Sequence, residues 1–326
     1  LTFTDCRRIA AAMKPYALLL LVGALLFSAC SSEDSAVFKD DSKLPVVATS
    51  QMVTDMVRVI GGERTEVYGM MGAAVDPHSY QTTFGDAVAL KQAKVVFYSG
   101  LHLEGRMQEA LEGRKAKGEP VFAVTDALSK EQLLQPQEDF DGYSDPHVWG
   151  DPSLWVHCID EVVRGLTEVD AEGAEYYNKR ADEYRAELGK LHQWASQRVA
   201  QVPVENRILV TSHDAFFYFG QAYGFEVRGL QGISTASAKG LKDRKELVNY
   251  IREKKLKMIF PESSVNPKDI EAAAKEAGVK ISEHELFSDA MGEDGDVVEL
   301  HGESYDKGTY IGMIKHNVNS IVDGLK

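Results

Sequence analysis

Residues 170–203 read DAEGAEYYNKRADEYRAELGKLHQWASQRVAQVP. Tyr177, Ala181, Tyr184, Leu188, Leu191 and Ala195 recur at spacings of four and three, the apolar stripe of one helix. Asp170 offers an N-cap, and no proline interrupts the run before Pro203. The pattern predicts a helix from Ala171 to about Ala200. Roughly 30 residues at 1.5 Å each make about 45 Å, enough to run along two small lobes.

The flanks of this helix repeat one rhythm. Short apolar runs rich in β-branched and aromatic residues occur at 45–50, 65–71, 94–98 and 120–124 before it, and at 207–212, 225–229, 256–261 and 279–283 after it. Helical periodicity separates most of them, so the expected class is α/β, with two parallel-sheet lobes covered by helices. The chain's 326 residues allow about two domains of roughly 150 residues each. The boundaries read as 45–169 for the N-terminal lobe, 170–202 for the linking helix and 203–326 for the C-terminal lobe.

His78, His147, His213 and Asp289 each follow an apolar, strand-like run: GMMGAAVDPHSY, YSDPHVWGDP, RILVTSHDAF and KISEHELFSDA. Open parallel sheets bind ligands beyond the carboxyl ends of their strands, which is where this reading puts all four. Three imidazoles and a carboxylate complete the donor set of a borderline divalent cation such as zinc. Ligands so far apart in sequence must be assembled by the whole fold, which points to a cleft between lobes. Pro77 stiffens the loop before His78, and Asp-Pro-His repeats at 145–147. Asp76 and Asp145 read equally as turn formers or as carboxylates that orient an imidazole. Asp151-Pro152 reads as a helix start, and Asp214 as a helix N-terminal charge or an orienting group. His102, His157, His192, His284, His301 and His316 are expected to be structural or solvated.

DPHSYQTT, SGLHLEG, SDPHVWGDP, TSHDAFFYFG, GISTASAKGLKD, FPESSVNPK, SDAMG and TYIGMIKHNV occur in this order between residues 76 and 318. Together they resemble the zinc/manganese substrate-binding proteins of ABC importers, the cluster A-I or cluster 9 group. The resemblance implies one metal ion, zinc or manganese, as transported ligand. It places His78 and His147 in the first lobe and His213 and Asp289 in the second. It also implies a membrane permease with a cytoplasmic ATPase as partners. Some relatives, often manganese-selective, carry Glu where His213 stands. Three nitrogen donors tilt the choice toward zinc. Zinc-dedicated relatives often carry a His-rich loop, whereas residues 101–145 contain only His102, which argues against an exclusive zinc assignment. Gly150 replaces a bulkier family residue and is expected to loosen one wall of the site.

From Met13 the chain reads MKPYALLLLVGALLFSAC, a secretory signal peptide with a short apolar run, so residues 1–29 are expected to be removed. Phe27-Ser28-Ala29-Cys30 resembles a lipobox, with Phe27 where Leu is usual, which makes Cys30 the expected lipidation site. Residues 1–12 then read as sequence upstream of the true start. Residues 30–44 are polar and charged and form the expected tether. These features predict an extracytoplasmic, lipid-anchored monomer, in the periplasm or at the cell surface.

The formal net charge is −14. Without residues 1–29, which carry three basic residues and one acidic residue, it is −16. Such a chain is not expected to bind nucleic acid or an anionic membrane surface. Cys158 is expected to be a buried thiol packing as a small apolar group. A zinc hydrolase is the alternative from another class, but four protein ligands leave no open coordination position, and neither H-E-x-x-H nor G-x-S-x-G occurs. A surface adhesin is a third reading with no direct support in the residues.

Overall fold

The computed structural model describes residues 36–135, 140, 142–236 and 241–326. The expected signal peptide and Cys30 lie outside the described residues. The first half opens with β1 (Leu44–Ala48), α1 (Gln51–Gly61) and β2 (Thr65–Gly69). It continues through α2 (Phe84–Gln92), β3 (Val95–Tyr98), α3 (Arg106–Lys115) and β4 (Val121–Ala123). These strands form one parallel sheet in the order β2-β1-β3-β4, with Val46 beside both Val67 and Val95. Strand parity sorts its side chains. Val46, Ala48 and Phe97 face the main core, whereas Val47, Val96 and Tyr98 pack under Met107, Leu111 and Ala89 on the opposite face.

Next come α4 (Pro152–Trp155), α5 (Ile159–Val169) and the long α6 (Ala174–Val199). All six stripe residues of α6 are buried, and Val199 extends the stripe. Asp170 does not cap α6. A short 3-10 turn, Ala171–Gly173, intervenes, and the Asp170 carboxylate instead accepts from Arg64 at 2.8 Å. The length of α6 is divided between the halves. Arg180 donates to the Val59 carbonyl at 2.6 Å, while Trp194 and Arg198 donate to Glu303 and Asn319 at 2.9 and 2.8 Å.

The second half holds β5 (Ile208–Thr211), α7 (Phe217–Tyr223), β6 (Glu226–Gly229), α8 (Leu241–Glu253), β7 (Met258–Ile259), α9 (Lys268–Ala277) and β8 (Lys280–Ile281). Here β5 pairs with β6 and β7 with β8, both in parallel. The Phe260 N–H donates to the Val210 carbonyl at 2.9 Å and ties the two pairs together. An antiparallel hairpin of β9 (Val297–Leu300) and β10 (Glu303–Asp306) was not foreseen. Its solvent-facing acidic residues resemble a surface loop by composition. The chain closes with α10 (Tyr310–Leu325). One continuous core runs from Phe97 and Trp155 through Tyr177 and Leu188 to Phe219, Tyr310 and Val318, so the two sheets and α6 share it. Among the described residues no helix is long and apolar enough to cross a membrane.

Candidate metal centre

The loop between β2 and α2 carries His78. A capping box between Thr83 and Asp86 starts α2, and the same Asp86 accepts from Tyr80 at 2.6 Å. The same Tyr80 hydroxyl lies 3.1 Å from the Met70 carbonyl, a weaker shared contact that braces the other end of the loop. Asp76 accepts from the His78 N–H at 2.9 Å and from the Thr235 hydroxyl at 2.6 Å. It shapes the turn and reaches the other half of the molecule, but it does not orient the imidazole. Gly105 has φ +47 and lies against the His78 carbonyl, where a Cβ would come within 2.6 Å.

His147 does not follow a strand directly. It stands before a 3-10 turn, Val148–Gly150, after an irregular segment. Asp145 fills both expected roles at once, with one oxygen 2.9 Å from the His147 N–H and 2.7 Å from Nδ1. Gly150 does not loosen this wall, because Tyr218 and Phe219 of α7 fill the space a side chain would take. Asp151 accepts from the Ser153 N–H at 2.8 Å and caps α4, with Pro152 in its first turn.

His213 stands two residues beyond β5. Glu262 receives its backbone N–H at 2.8 Å and pairs with Nδ1. Sequence reasoning gave Glu262 no role, although FPESS lies just past a strand, where an orienting carboxyl is useful. Asp214 accepts from the Gly229 N–H at 2.6 Å, and α7 starts only at Phe217, so Asp214 ties β5 to β6. Asp289 follows β8 by eight residues, and an isolated bridge between Glu262 and Leu286 carries the strand direction on toward it.

The structure brings these four side chains together. One donor atom from each lies within 4.8 Å of all the others. His78 Nε2 is 3.3 Å from His147 Nε2, which is 3.2 Å from Asp289 Oδ1. His213 Nε2 is 3.0 Å from Asp289 Oδ2, and His78 Nε2 is 3.9 Å from it. Four ligands around a zinc-sized ion at bonds of about 2.0–2.1 Å stand ~3.4 Å apart, so the cage has the right size. His213 Nε2 and both Asp289 oxygens are buried without a hydrogen-bond partner. Leaving such atoms unpaired costs about 1–3 kcal/mol each, which fits a cage built for a cation. Cys158 is buried away from it among core side chains.

Charge within the cage is unevenly shared. Burial pushes His78 down to about 3, which Asp289 offsets only in part. Burial acts the same way on His147, but Asp145 and Asp289 outweigh it and raise the group to about 9. His213 is raised well above its ordinary value, with Asp289 and Glu262 overcoming burial. Against burial, His213 and His147 hold Asp289 well below the usual carboxylate range. Without metal, these directions favour a neutral His78 and charged His147 and His213 around the Asp289 carboxylate. Nδ1–H bonding to Asp145 and Glu262 leaves both Nε2 atoms facing the centre.

The family described as zinc-uptake complex component A, periplasmic, matches residues 46–324. The manganese-binding lipoprotein MntA of Bacillus subtilis is 40% identical over 314 residues, covering 94% of this chain and 99% of that protein. The zinc-binding protein TroA of Treponema pallidum is 40% identical over 303 residues, covering 91% and 92%. The solved structure of that periplasmic zinc-binding protein superposes with a TM-score of 0.79 at 38% identity, covering 87% of this chain and 99% of that one. This chain belongs to the zinc-uptake component A family. It is an extracytoplasmic substrate-binding protein of an ABC metal importer, not an enzyme, and its partners are a permease and the ATPase that drives it.

Proposed function

We propose that the chain captures one divalent transition metal ion, zinc or manganese with zinc slightly favoured, through His78, His147, His213 and Asp289, and releases it to the permease. The observation that carries this reading is the convergence of four buried donor residues from both halves of the chain, with His213 Nε2 and both Asp289 oxygens lacking a hydrogen-bond partner. Three imidazole nitrogens and one carboxylate favour zinc on donor chemistry. Relatives named for manganese and for zinc are equally similar to the chain, so similarity does not divide the two. Metal analysis of protein purified without added metal, followed by competition titration with zinc and manganese, tests the reading. Protein that binds neither ion tighter than micromolar refutes it.

The same proposal divides the chain into lobes at 45–169 and 203–326 around the linking segment 170–202. It has a lipid on Cys30 hold the monomer at the membrane through the expected tether 30–44, whose last part is docked rather than free: the Val37 and Lys39 N–H groups donate to Gln92 at 3.0 Å and Glu66 at 3.1 Å, and Leu44 opens β1. Relatives named as lipoproteins, MntA and PsaA among them, support the anchor. Cys30→Ala, with the signal still cleaved, is expected to move the protein into the soluble fraction. Persistent membrane association of that variant refutes the anchor.

A further inference from the structure

His147 and His213 each have a carboxyl group behind the ring, Asp145 and Glu262. Asp289 has no such support from outside the cage, since its oxygens meet only the ring nitrogens of the other candidate ligands, His147 Nε2 at 3.2 Å and His213 Nε2 at 3.0 Å. Its direction is set by its backbone, residues 288–292. Two side chains from the first half grip that segment on either side of Asp289. Trp149 Nε1 donates to the Ser288 carbonyl at 2.8 Å. Gln51 Oε1 accepts from the Met291 N–H at 2.6 Å, and Gln51 Nε2 donates to the Gly292 carbonyl at 3.2 Å.

We infer that Gln51 is a positioning residue for metal binding, an amide clasp from the first half that aims the Asp289 carboxylate of the second. This rests on the proposed ligand set. Gln51 opens α1 directly beyond the end of β1, on a rigid element, and is buried. A primary amide offers a donor and an acceptor side by side, which a main-chain N–H and C=O from adjacent residues require. Asparagine has the same group on a shorter stem. Arg58 reaches Asp294 across the same boundary at 3.2 Å, but both groups are exposed, so that ion pair contributes little. The clasp bears on the cage's one oxygen donor. Loosening it should therefore weaken manganese, which prefers oxygen, more than zinc.

The test is a double-mutant cycle on the full chain, read as zinc and manganese affinity by chelator competition. Gln51→Met, similar in size but without hydrogen bonds, is expected to weaken zinc by ~10-fold and manganese by more. In an Asp289→Ala background, Gln51→Met is expected to change neither affinity further. Gln51→Glu keeps the acceptor for Met291 and should fall between wild type and Gln51→Met. If Gln51→Met fails to melt cooperatively, the same cycle is run with Gln51→Glu. Equal losses in both backgrounds, or no loss in either, overturn the inference. Wild-type affinity in Asp289→Ala alone is a separate result, since it refutes the proposed ligand set itself.

Discussion

Metal binding should expel two protons, and lowering pH should weaken it in proportion. His78 is neutral down to about 3 and releases nothing across the physiological range. His147, raised to about 9, and His213, also raised, are protonated in the metal-free cage at pH 7. Each ligand must be deprotonated to bind a cation. Affinity should therefore climb by up to ~100-fold per pH unit from about pH 6 toward pH 8, and His147's share of that slope should fade as pH passes about 9. Three imidazoles at their ordinary value near ~6.5 would behave differently, with affinity flat above pH 7.5 and falling by up to ~1000-fold per unit well below it. Stability without metal moves the other way. A histidine raised on folding stabilises fully below ~6.5 and loses that contribution as pH rises through its folded value. For His147 the loss runs from ~6.5 to about 9. His78, lowered on folding, costs stability below ~6.5, and the cost deepens toward about 3. The melting temperature of metal-free protein should thus fall between pH 6.5 and 9, while the increment from metal grows. Calorimetric titration at pH 7.5 in buffers of different ionisation enthalpy counts the protons, and chelator-buffered titrations supply the slope. Zero proton release with flat affinity from pH 6 to 9 would refute the charge assignment.

Replacing His78, His147, His213 or Asp289 singly with Ala should weaken zinc binding by more than ~100-fold, beyond the usual effect of losing an orienting partner; wild-type affinity in any variant removes that residue from the cage. Glu262→Gln should cost about 10–100-fold in affinity with the fold intact, because the carboxyl group behind His213 is replaced by a weaker acceptor; circular dichroism and competition titration separate the two effects. Metal loading should shift the ligand loops by small amounts without a large rotation of the halves, since α6 and the shared core cannot hinge as extended crossovers do; a clear change in radius of gyration by small-angle scattering would contradict this.

The eight short strands were legible because their β-branched runs are bounded by turns and separated by helical periodicity, and each observed strand lies within about a residue of its expected range. The stripe on α6 was legible for the same reason, a period repeated too often to be chance. What escaped depended on partners distant in sequence. Asp170 looks like a helix cap until Arg64, over 100 residues earlier, claims its carboxylate. Glu262 looks like any acidic residue in a loop until β7 sets it beside β5. The hairpin 297–306 buries only Tyr305, too little to impose alternation along its strands, so its sequence carries no strand signal.

That same long-range character explains how a cage from distant segments can be held accurately. His147 and His213 are fixed locally, each by a carboxyl group that bonds both its ring and its main chain. Asp289 is fixed across the boundary between halves, by Trp149 and Gln51. Relative movement of the halves would therefore bear on the oxygen donor, while the His147 and His213 imidazoles stay with their own carboxyl groups. On the proposed ligand set, release to a permease would then need no opening of the whole cleft. On that set, a shift of a few tenths of an ångström at residues 288–292 would lengthen the one oxygen contact, and His147 and His213, both raised, are the groups that would then take up protons in competition with the metal.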